Sequence, residues 1–447
     1  MIEGESLSSK VLSGSLWTSV SNWLLKGSTI LTTVIILRYL SVREYGTVQL
    51  VLSFFSFGIL FNLSAFHDLF VAEMGIKRNS SPVCSKGLFW GYLKAQTLFG
   101  IILWLIFFFG AGFFPAGSGE YVRIISFLFL LSPAREAVQL LFNVELRFRA
   151  LAIFSCLEQV SRLVILVVGL VWLDARIGAV LFSTVLSQAL ALIITVPALL
   201  SAYQKYRSVI YERVSIIKIL FAHGKWGLFV SYVSNFNKTL RIWLVQIFLG
   251  TEAVGLYGVA TNLFSHTRSL LPISEVASPI IPQYAGDPSR LSLIVNKGLK
   301  YSMLGYVTLG VVGALIFPPI ITYLFPHFAA SIPLYQLMLL GLIPHSLSII
   351  LTPIFYAYRA QKSLFFAYTR RIILTALFLP LFIWMFGLPG IAIEFVITAL
   401  IFALDRYVMA RKLLPTMCVS GRALTSFDDY DKILLNKLLP KLWRRKS

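Results

Sequence analysis

The sequence predicts an all-α integral membrane protein of about twelve spanning helices in two groups of six. Three observations carry this. Apolar runs of about 18 residues or more, the length a bilayer demands, recur from end to end. Of 447 residues, 57% are hydrophobic and only 13% charged, with mean hydropathy +0.81; a soluble chain of this length needs far more charge to cover its surface. The basic residues, finally, alternate between the joins.

In the first half the spans are Ser15–Leu40, Thr47–Val71, Leu88–Phe114, Tyr121–Phe142, Leu151–Trp172 and Gly178–Tyr203. In the second half they are Gly224–Leu249, Ala253–Ile281, Leu299–Phe325, Ile332–Tyr358, Leu364–Phe386 and Pro389–Arg411. Pro, Gly and Ser punctuate the joins, as at Pro115-Ala116-Gly117-Ser118 and Gly387-Leu388-Pro389-Gly390. The polar start followed by a long apolar run does not read as a cleavable signal.

With the N-terminus placed in the cytoplasm, the even joins carry Lys77, Arg78 and Lys86; Arg147 and Arg149; Lys205, Arg207, Arg213 and Lys218; Arg290 and Lys297; Arg359 and Lys362. The odd joins carry only Arg43, Arg123 and Arg176. Under the positive-inside rule both termini are cytoplasmic. The net charge of +20 then needs no nucleic acid: it reflects this rule and attraction to anionic phospholipids. The resulting division is 1–203, a first lobe with helices one to six; 204–223, a basic cytoplasmic linker; 224–412, a second lobe with helices seven to twelve; and 413–447, a basic amphipathic cytoplasmic tail. Cys84, Cys156 and Cys418 are far apart and the five His are scattered, so no disulfide framework, metal site or cofactor is expected.

The chain can be laid on itself with a constant shift of 209 residues, which sets Trp17 on Trp226, Leu40 on Leu249, Gly46 on Gly255 and Phe55 on Phe264. An even number of helices per half makes this a parallel repeat, and transporters so built place their substrate site between the halves.

Ionisable groups at mid-membrane cost about 2.5–3.5 kcal/mol each and need a reason. Glu158 and Arg162, spaced i,i+4, can neutralise one another. Asp405 and Arg406 are expected to snorkel to the cytoplasmic surface, and Asp68 and Lys94 lie in the cytoplasmic third of their helices. Lys26, Arg135 (beside Glu136) and Arg268 lie deep. Asn235, Lys238 and Arg241 recur every three residues as one polar stripe. Cations unmatched by carboxylates at this depth call for a hydrated, positive cavity between the halves and for an anionic ligand such as a phosphate.

Two stretches carry a resemblance: Gly14-Ser15-Leu16-Trp17 through Arg38-Tyr39-Leu40-Ser41-Val42-Arg43-Glu44-Tyr45-Gly46, and Phe248-Leu249-Gly250-Thr251-Glu252-Ala253-Val254-Gly255-Leu256-Tyr257. They resemble polysaccharide-biosynthesis membrane proteins, the Wzx-type O-antigen or oligosaccharide flippases of the multidrug/oligosaccharidyl-lipid/polysaccharide exporter superfamily. The resemblance implies a V-shaped two-lobe exporter fold with a central cavity in the bacterial cytoplasmic (inner) membrane. It implies alternating-access transport of undecaprenyl-pyrophosphate-linked oligosaccharide, with the polysaccharide polymerase machinery as a further partner and Na+ or H+ as coupling ion. Lys26, Lys238, Arg241, Arg268 and Arg135 would contact the diphosphate; Asn235, Asn237, Trp243 and Asn262 would line the cavity or bind sugar. Relatives often carry an Asp before the helix-seven Arg, where this chain has Leu240-Arg241. Ion coupling would then rest on Glu275, Glu394 or Asp68.

A multidrug/cation antiporter of the same superfamily would share the fold but favour carboxylates in its cavity. A membrane enzyme of the same pathway would need longer outer segments than any join here. Alanine at Lys238 or Arg241 is expected to abolish transport without loss of folded protein.

Overall fold

The computed structural model describes residues 24–62, 66–67, 70–71, 73–75, 82–115, 117–207, 225–415 and 417. Asp68, the linker from 208 to 223 and the tail from 418 onward lie outside the described residues. The described chain is all-α. Helix α1 covers 24–39, and α2 to α6 are Val42–Leu60, Pro82–Phe109, Gly119–Val144, Phe148–Val171 and Arg176–Arg207. The stretch Lys225–Ser269 breaks at Gly250 into α7 (225–249) and α8 (251–269). Then follow α9 Ile273–Gln283, α10 Pro288–Leu324, α11 Ser331–Leu339, α12 Leu342–Ala357, α13 Gln361–Phe386 and α14 Pro389–Leu413. Among the described residues seven helices are long and apolar enough to cross a membrane, eight if the bent pair α11–α12 is one span. Large apolar side chains face outward along these helices, as at Leu304, Val311, Leu315, Leu377 and Trp384. In water that surface would be an interaction patch over the whole molecule; in lipid it is the expected exterior. The protein is a multi-pass membrane protein.

The second predicted span, Thr47–Val71, is interrupted where α2 ends at Leu60, and two more are broken rather than straight. The eighth divides at Leu270–Pro272, because Pro272 lacks an amide proton and pushes Leu271 out of the helical region. The tenth bends by 48° between Leu339 and Leu342. There the ring of Pro344 crowds the carbonyl of Leu340, and the chain tightens to i→i−3 bonds from Leu340 to Leu337 (3.2 Å) and Gly341 to Met338 (2.8 Å).

The 209-residue repeat is visible at the turns. Ser41 and its counterpart Gly250 both interrupt a helix by different means. Ser41 caps α2 in extended conformation, its hydroxyl accepting from the Glu44 amide while the Glu44 carboxylate accepts from the Ser41 amide at 2.8 Å. Gly250 has φ 83°, open without strain only to glycine.

Each half builds its own apolar core. One cluster joins Phe70, Tyr92, Phe142 and Phe154; two others lie within the second half, around Tyr335 and Ile391 and around Leu299 and Ile354. A fourth cluster crosses between the halves, packing Leu40, Tyr45 and Val48 against Val259, Ile321 and Phe328. Its centre is the crossing of α2 with α8, where Gly46 lies against the Thr251 backbone and Gly255 against the Val42 backbone.

The joins fall at two ends. Arg176, opening α6, donates to Glu44, opening α2, at 3.1 Å. Arg147, before α5, donates to Ser201 near the end of α6 at 3.2 Å. Partial burial pushes the Glu44 carboxyl up, but the Ser41 amide and hydroxyl and the Arg176 guanidinium outweigh it and hold the group below the usual carboxylate range. This contribution is fully present above the ordinary carboxylate pKa and is lost as pH falls through the lowered value. Ser41→Ala should therefore cost about 1 kcal/mol. The Tm difference between wild type and Glu44→Gln should close on acidification, in a thermal melt of detergent-solubilised protein read against pH.

Candidate functional site

The cations singled out in the sequence divide into four groups. Lys26, on α1, lines a cavity of 280 Å³ together with Leu25, Thr29, His266 and Glu275. The cavity lies between the first helix of one half and the α8–α9 break of the other. It brings Lys26 and Glu275 to one place, although the sequence assigned them separate tasks.

The second group is Lys238 and Arg268. Lys238 is exposed on α7, within 3.5 Å of Asn235 Oδ1. Arg268 on α8 lies near enough to act electrostatically on Lys238 and on His345 of α12. Two further arginines join them, Arg371, which the sequence reading did not name, and Arg406, which it sent to the surface: Arg371 on α13 and Arg406 on α14 also act on His345. Arg406 is only 3% exposed, so the expectation that it snorkels to the surface fails. It is held inside because Nη1 donates to the Ser348 carbonyl (3.2 Å) and the Thr352 hydroxyl (2.6 Å) of α12. Its guanidinium also stacks on the Phe402 ring at 4.0 Å and on Tyr368 at 4.9 Å. Arg371 stacks on the same Phe402 ring at 4.8 Å. Asp405 turns the other way and is bidentate with Arg370 (2.7 Å). The signal for these residues was in plain sight, since Arg370-Arg371 interrupts an apolar run.

Arg241 stands apart. Nε donates to Glu394 Oε2 at 3.0 Å, and Nη2 donates to Glu394 Oε1 at 3.1 Å, to Thr398 at 2.8 Å and to Thr375 at 3.3 Å. Thr375 donates in turn to Glu394 at 3.0 Å. The side chains of Arg241 and Glu394 are 4% and 0% exposed. The supposed stripe does not hold together: at 3.6 residues per turn, steps of three drift by about 60° each, leaving Arg241 roughly 120° from Asn235. It is buried against α13 and α14, while Asn235 and Lys238 are exposed. Its alanine variant should therefore lose folded protein, against the sequence expectation.

Two of the candidate sugar residues, Trp243 and Asn262, are drawn into contacts between the halves. Trp243 Nε1 donates to Ser53 at 3.0 Å and its ring packs on Phe57 at 4.9 Å. Asn262 donates to the Tyr45 hydroxyl at 2.6 Å. Asn237 is buried, and its Oδ1 accepts no hydrogen bond.

Arg135 lies in the first half and donates to Glu158 at 3.3 Å, so the acid expected to neutralise Arg162 serves Arg135 by direct contact. Nearby is a polar cluster that the sequence did not reveal. Glu136 accepts from Tyr92 at 3.1 Å and pairs with His67 Nδ1 at 2.9 Å, and Asn143 lies 3.2 Å from His67 Nε2. A proton on Nδ1, with Nε2 accepting from Asn143, satisfies both contacts.

Comparison with known proteins agrees with this architecture. A structure of a multidrug resistance MATE family transporter of the MOP superfamily, in an inward-facing conformation, superposes with TM-score 0.73. The match has 12% identity over 88% of this chain and 95% of that one. Lipid II flippase MurJ in an inward closed conformation superposes with TM-score 0.68 at 15% identity, over 97% and 99% of the two chains. At these identities the likeness is one of fold. The teichuronic acid biosynthesis protein TuaB of Bacillus subtilis (strain 168) is 20% identical over 284 residues, 63% of this chain. The chain thus spans 55%, little more than half, of the length of that relative. The family model described as polysaccharide biosynthesis protein matches residues 35–333, well over half of the sequence, and the chain belongs to that family.

Proposed function

We propose that the protein is a flippase that moves an oligosaccharide linked to a polyprenyl diphosphate, of the undecaprenyl-pyrophosphate type, across the cytoplasmic membrane by alternating access. The observation that carries this reading is the surplus of positive charge within the second half. Arg268, Arg371 and Arg406 all act on His345, Lys238 lies within electrostatic reach of Arg268, and the carboxylate buried near them, Glu394, is bonded to Arg241. A diphosphate supplies the missing negative charge, and its planar, bidentate recognition suits guanidinium groups. The family, the teichuronic acid relative and the MurJ-like fold support the same substrate class. With the N-terminus in the cytoplasm, the α2–α8 crossing lies at the outer end and closes it, leaving the cationic region to face inward. Glu275, beside Lys26, and Asp68 remain candidates for coupling to Na+ or H+. Glu394 is a candidate only if Arg241 leaves it during the cycle. Asn235 and Asn237 remain candidates for sugar contact, as do Trp243 and Asn262 once the halves separate.

The multidrug-antiporter reading has the MATE-like fold in its favour. A site dominated by guanidinium and ammonium groups repels cationic drugs, however, so the charge favours the lipid diphosphate. Deletion of the gene in its host, followed by mass spectrometry of extracted lipids, separates the two. Accumulated lipid-linked repeat units with loss of surface polymer support the flippase. Unchanged lipid pools with altered sensitivity to cationic drugs support the antiporter. Lys238→Ala should give the deletion phenotype, with surface polymer reduced at least tenfold and wild-type amounts of folded protein in the membrane. Full surface polymer in that variant would remove the cationic region from the mechanism.

A further inference from the structure

We propose that Arg371 and Arg406 form a built oxyanion site that takes a phosphate of the substrate's diphosphate, an inference that rests on the flippase reading above. Two guanidinium groups share the Phe402 ring, at 4.8 Å and 4.0 Å, and lie close enough for Arg406 to act electrostatically on Arg371. Arg406 is nine-tenths buried and more, and although the Tyr368 hydroxyl lies within its reach, Nε and Nη2 make no hydrogen bond of good geometry, and neither does Nε of Arg371. These three donors sit in a region with one carboxylate, Glu394, whose oxygens are occupied by Arg241 and Thr375. Asp405, next in sequence to Arg406, is bonded to Arg370.

A buried guanidinium normally has its donors satisfied and its charge matched. Here the neighbouring groups do the first job only in part, for Nη1 through Ser348 and Thr352 and through the Tyr368 hydroxyl beside Arg406, and the second job for neither arginine. Tetrahedral phosphate oxygens answer both needs, because they accept from two guanidinium groups at once and carry the missing charge. Tyr368, under Arg406 and next to Ser234 of α7, connects the pair to the helix that presents Lys238. A diphosphate could therefore be handed between Lys238 and the arginine pair, deeper in the second half than the cavity at Lys26.

The same phosphate chemistry is offered by three sources: a polyprenyl diphosphate, an anionic phospholipid headgroup and free pyrophosphate. The test uses the full chain in phosphatidylcholine nanodiscs. Undecaprenyl diphosphate, phosphatidylglycerol and inorganic pyrophosphate are each titrated, with binding read by native mass spectrometry and by the rise in Tm. Wild type is compared with Arg371→Gln, Arg406→Gln and Lys238→Gln, each checked for a monodisperse folded state. Arg371→Lys and Arg406→Lys keep the charge but lose the fork, and stand in should a glutamine variant fail to fold.

The expected result is that undecaprenyl diphosphate binds wild type at least tenfold more tightly than either glutamine variant, a loss of about 1.4 kcal/mol or more. The lysine variants should fall between, and phosphatidylglycerol should compete weakly. Wild-type affinity in both arginine variants, with loss only in Lys238→Gln, would overturn the oxyanion site and leave the flippase reading standing. Arginine-dependent binding of pyrophosphate or phosphatidylglycerol, with no preference for the polyprenyl diphosphate, would uphold an oxyanion site but overturn the flippase reading and with it the assignment to substrate.

Discussion

Arg241→Ala is expected to remove most of the folded protein from the membrane, whereas Lys238→Ala leaves it in place. The two residues are three apart on one helix and both are cations, so composition offers no reason for the difference. Burial does. Removing Arg241 strands the Glu394 carboxylate at 0% exposure with only Thr375 to bond it, and breaking a buried pair in this way costs about 3–5 kcal/mol. That is a large part of the 5–15 kcal/mol or so that holds a typical domain folded. The converse experiment separates fold from charge. Arg241→Met combined with Glu394→Leu removes both charges and fills similar volume, a replacement that is often neutral or stabilising. The double variant should recover the Tm and the monodisperse peak in size-exclusion chromatography that each single variant loses. If Arg241→Ala melts like wild type, the pair is not a structural pin, and Arg241 is free to meet substrate as the sequence first implied. If the double variant is folded but inactive in surface-polymer assembly, the pair serves the transport cycle as well as the fold.

What could be read from the sequence follows from how each feature is encoded. The helices are written in hydropathy, a local property, so the predicted spans fall mostly on helix where the chain is described, apart from the breaks at 61–62, 270–272 and 340–341. The breaks at Pro272 and Pro344 escaped because proline inside an apolar run leaves hydropathy unchanged and alters only backbone geometry. The cation surplus was visible as composition. The pairing of those cations was not. Arg241 finds Glu394 across 153 residues and His67 finds Glu136 across 69, and no local pattern marks either meeting. The three-residue stripe on α7 failed for a simpler reason: spacing of three approximates one helical face for a single step and leaves it by the second. Arg371 was overlooked although it is an intramembrane charge by the same criterion that found Lys238.

The Gly46–Gly255 crossing yields the second large expected effect, and its symmetry makes the prediction sharp. Under the 209-residue shift Gly46 corresponds to Gly255 and Val42 to Thr251. A Cβ on Gly46 would strike the Thr251 carbonyl, and one on Gly255 would strike the Val42 carbonyl. Counterpart residues thus touch each other, which places the pseudo-two-fold axis of the repeat through this contact, as in an isologous interface. Both obstacles are backbone, which cannot rotate away as a side chain can, so any larger residue must push α2 and α8 apart; small residues are what let two helices approach this closely in a bilayer. Overpacking of this kind costs about 1–3 kcal/mol, and each 1.4 kcal/mol or so shifts a two-state equilibrium tenfold. Gly46→Val should therefore favour a form open at the α2–α8 end by roughly ten- to a hundredfold. The readout is the reaction of Asn262→Cys, whose native side chain is bonded to Tyr45 in the closed form, with a membrane-impermeant maleimide added from outside. The background carries Cys84, Cys156 and Cys418 replaced by Ser. Gly46→Val should speed the labelling, Gly46→Ala should fall between it and wild type, and surface polymer should decline in the same order. Gly255→Val should match Gly46→Val, because the same backbone contact is lost from the other side of the axis. Unchanged labelling in a folded Gly46→Val variant would mean that this crossing does not gate the outer end. Acceleration by Gly46→Val alone would mean that the two halves do not share the load there.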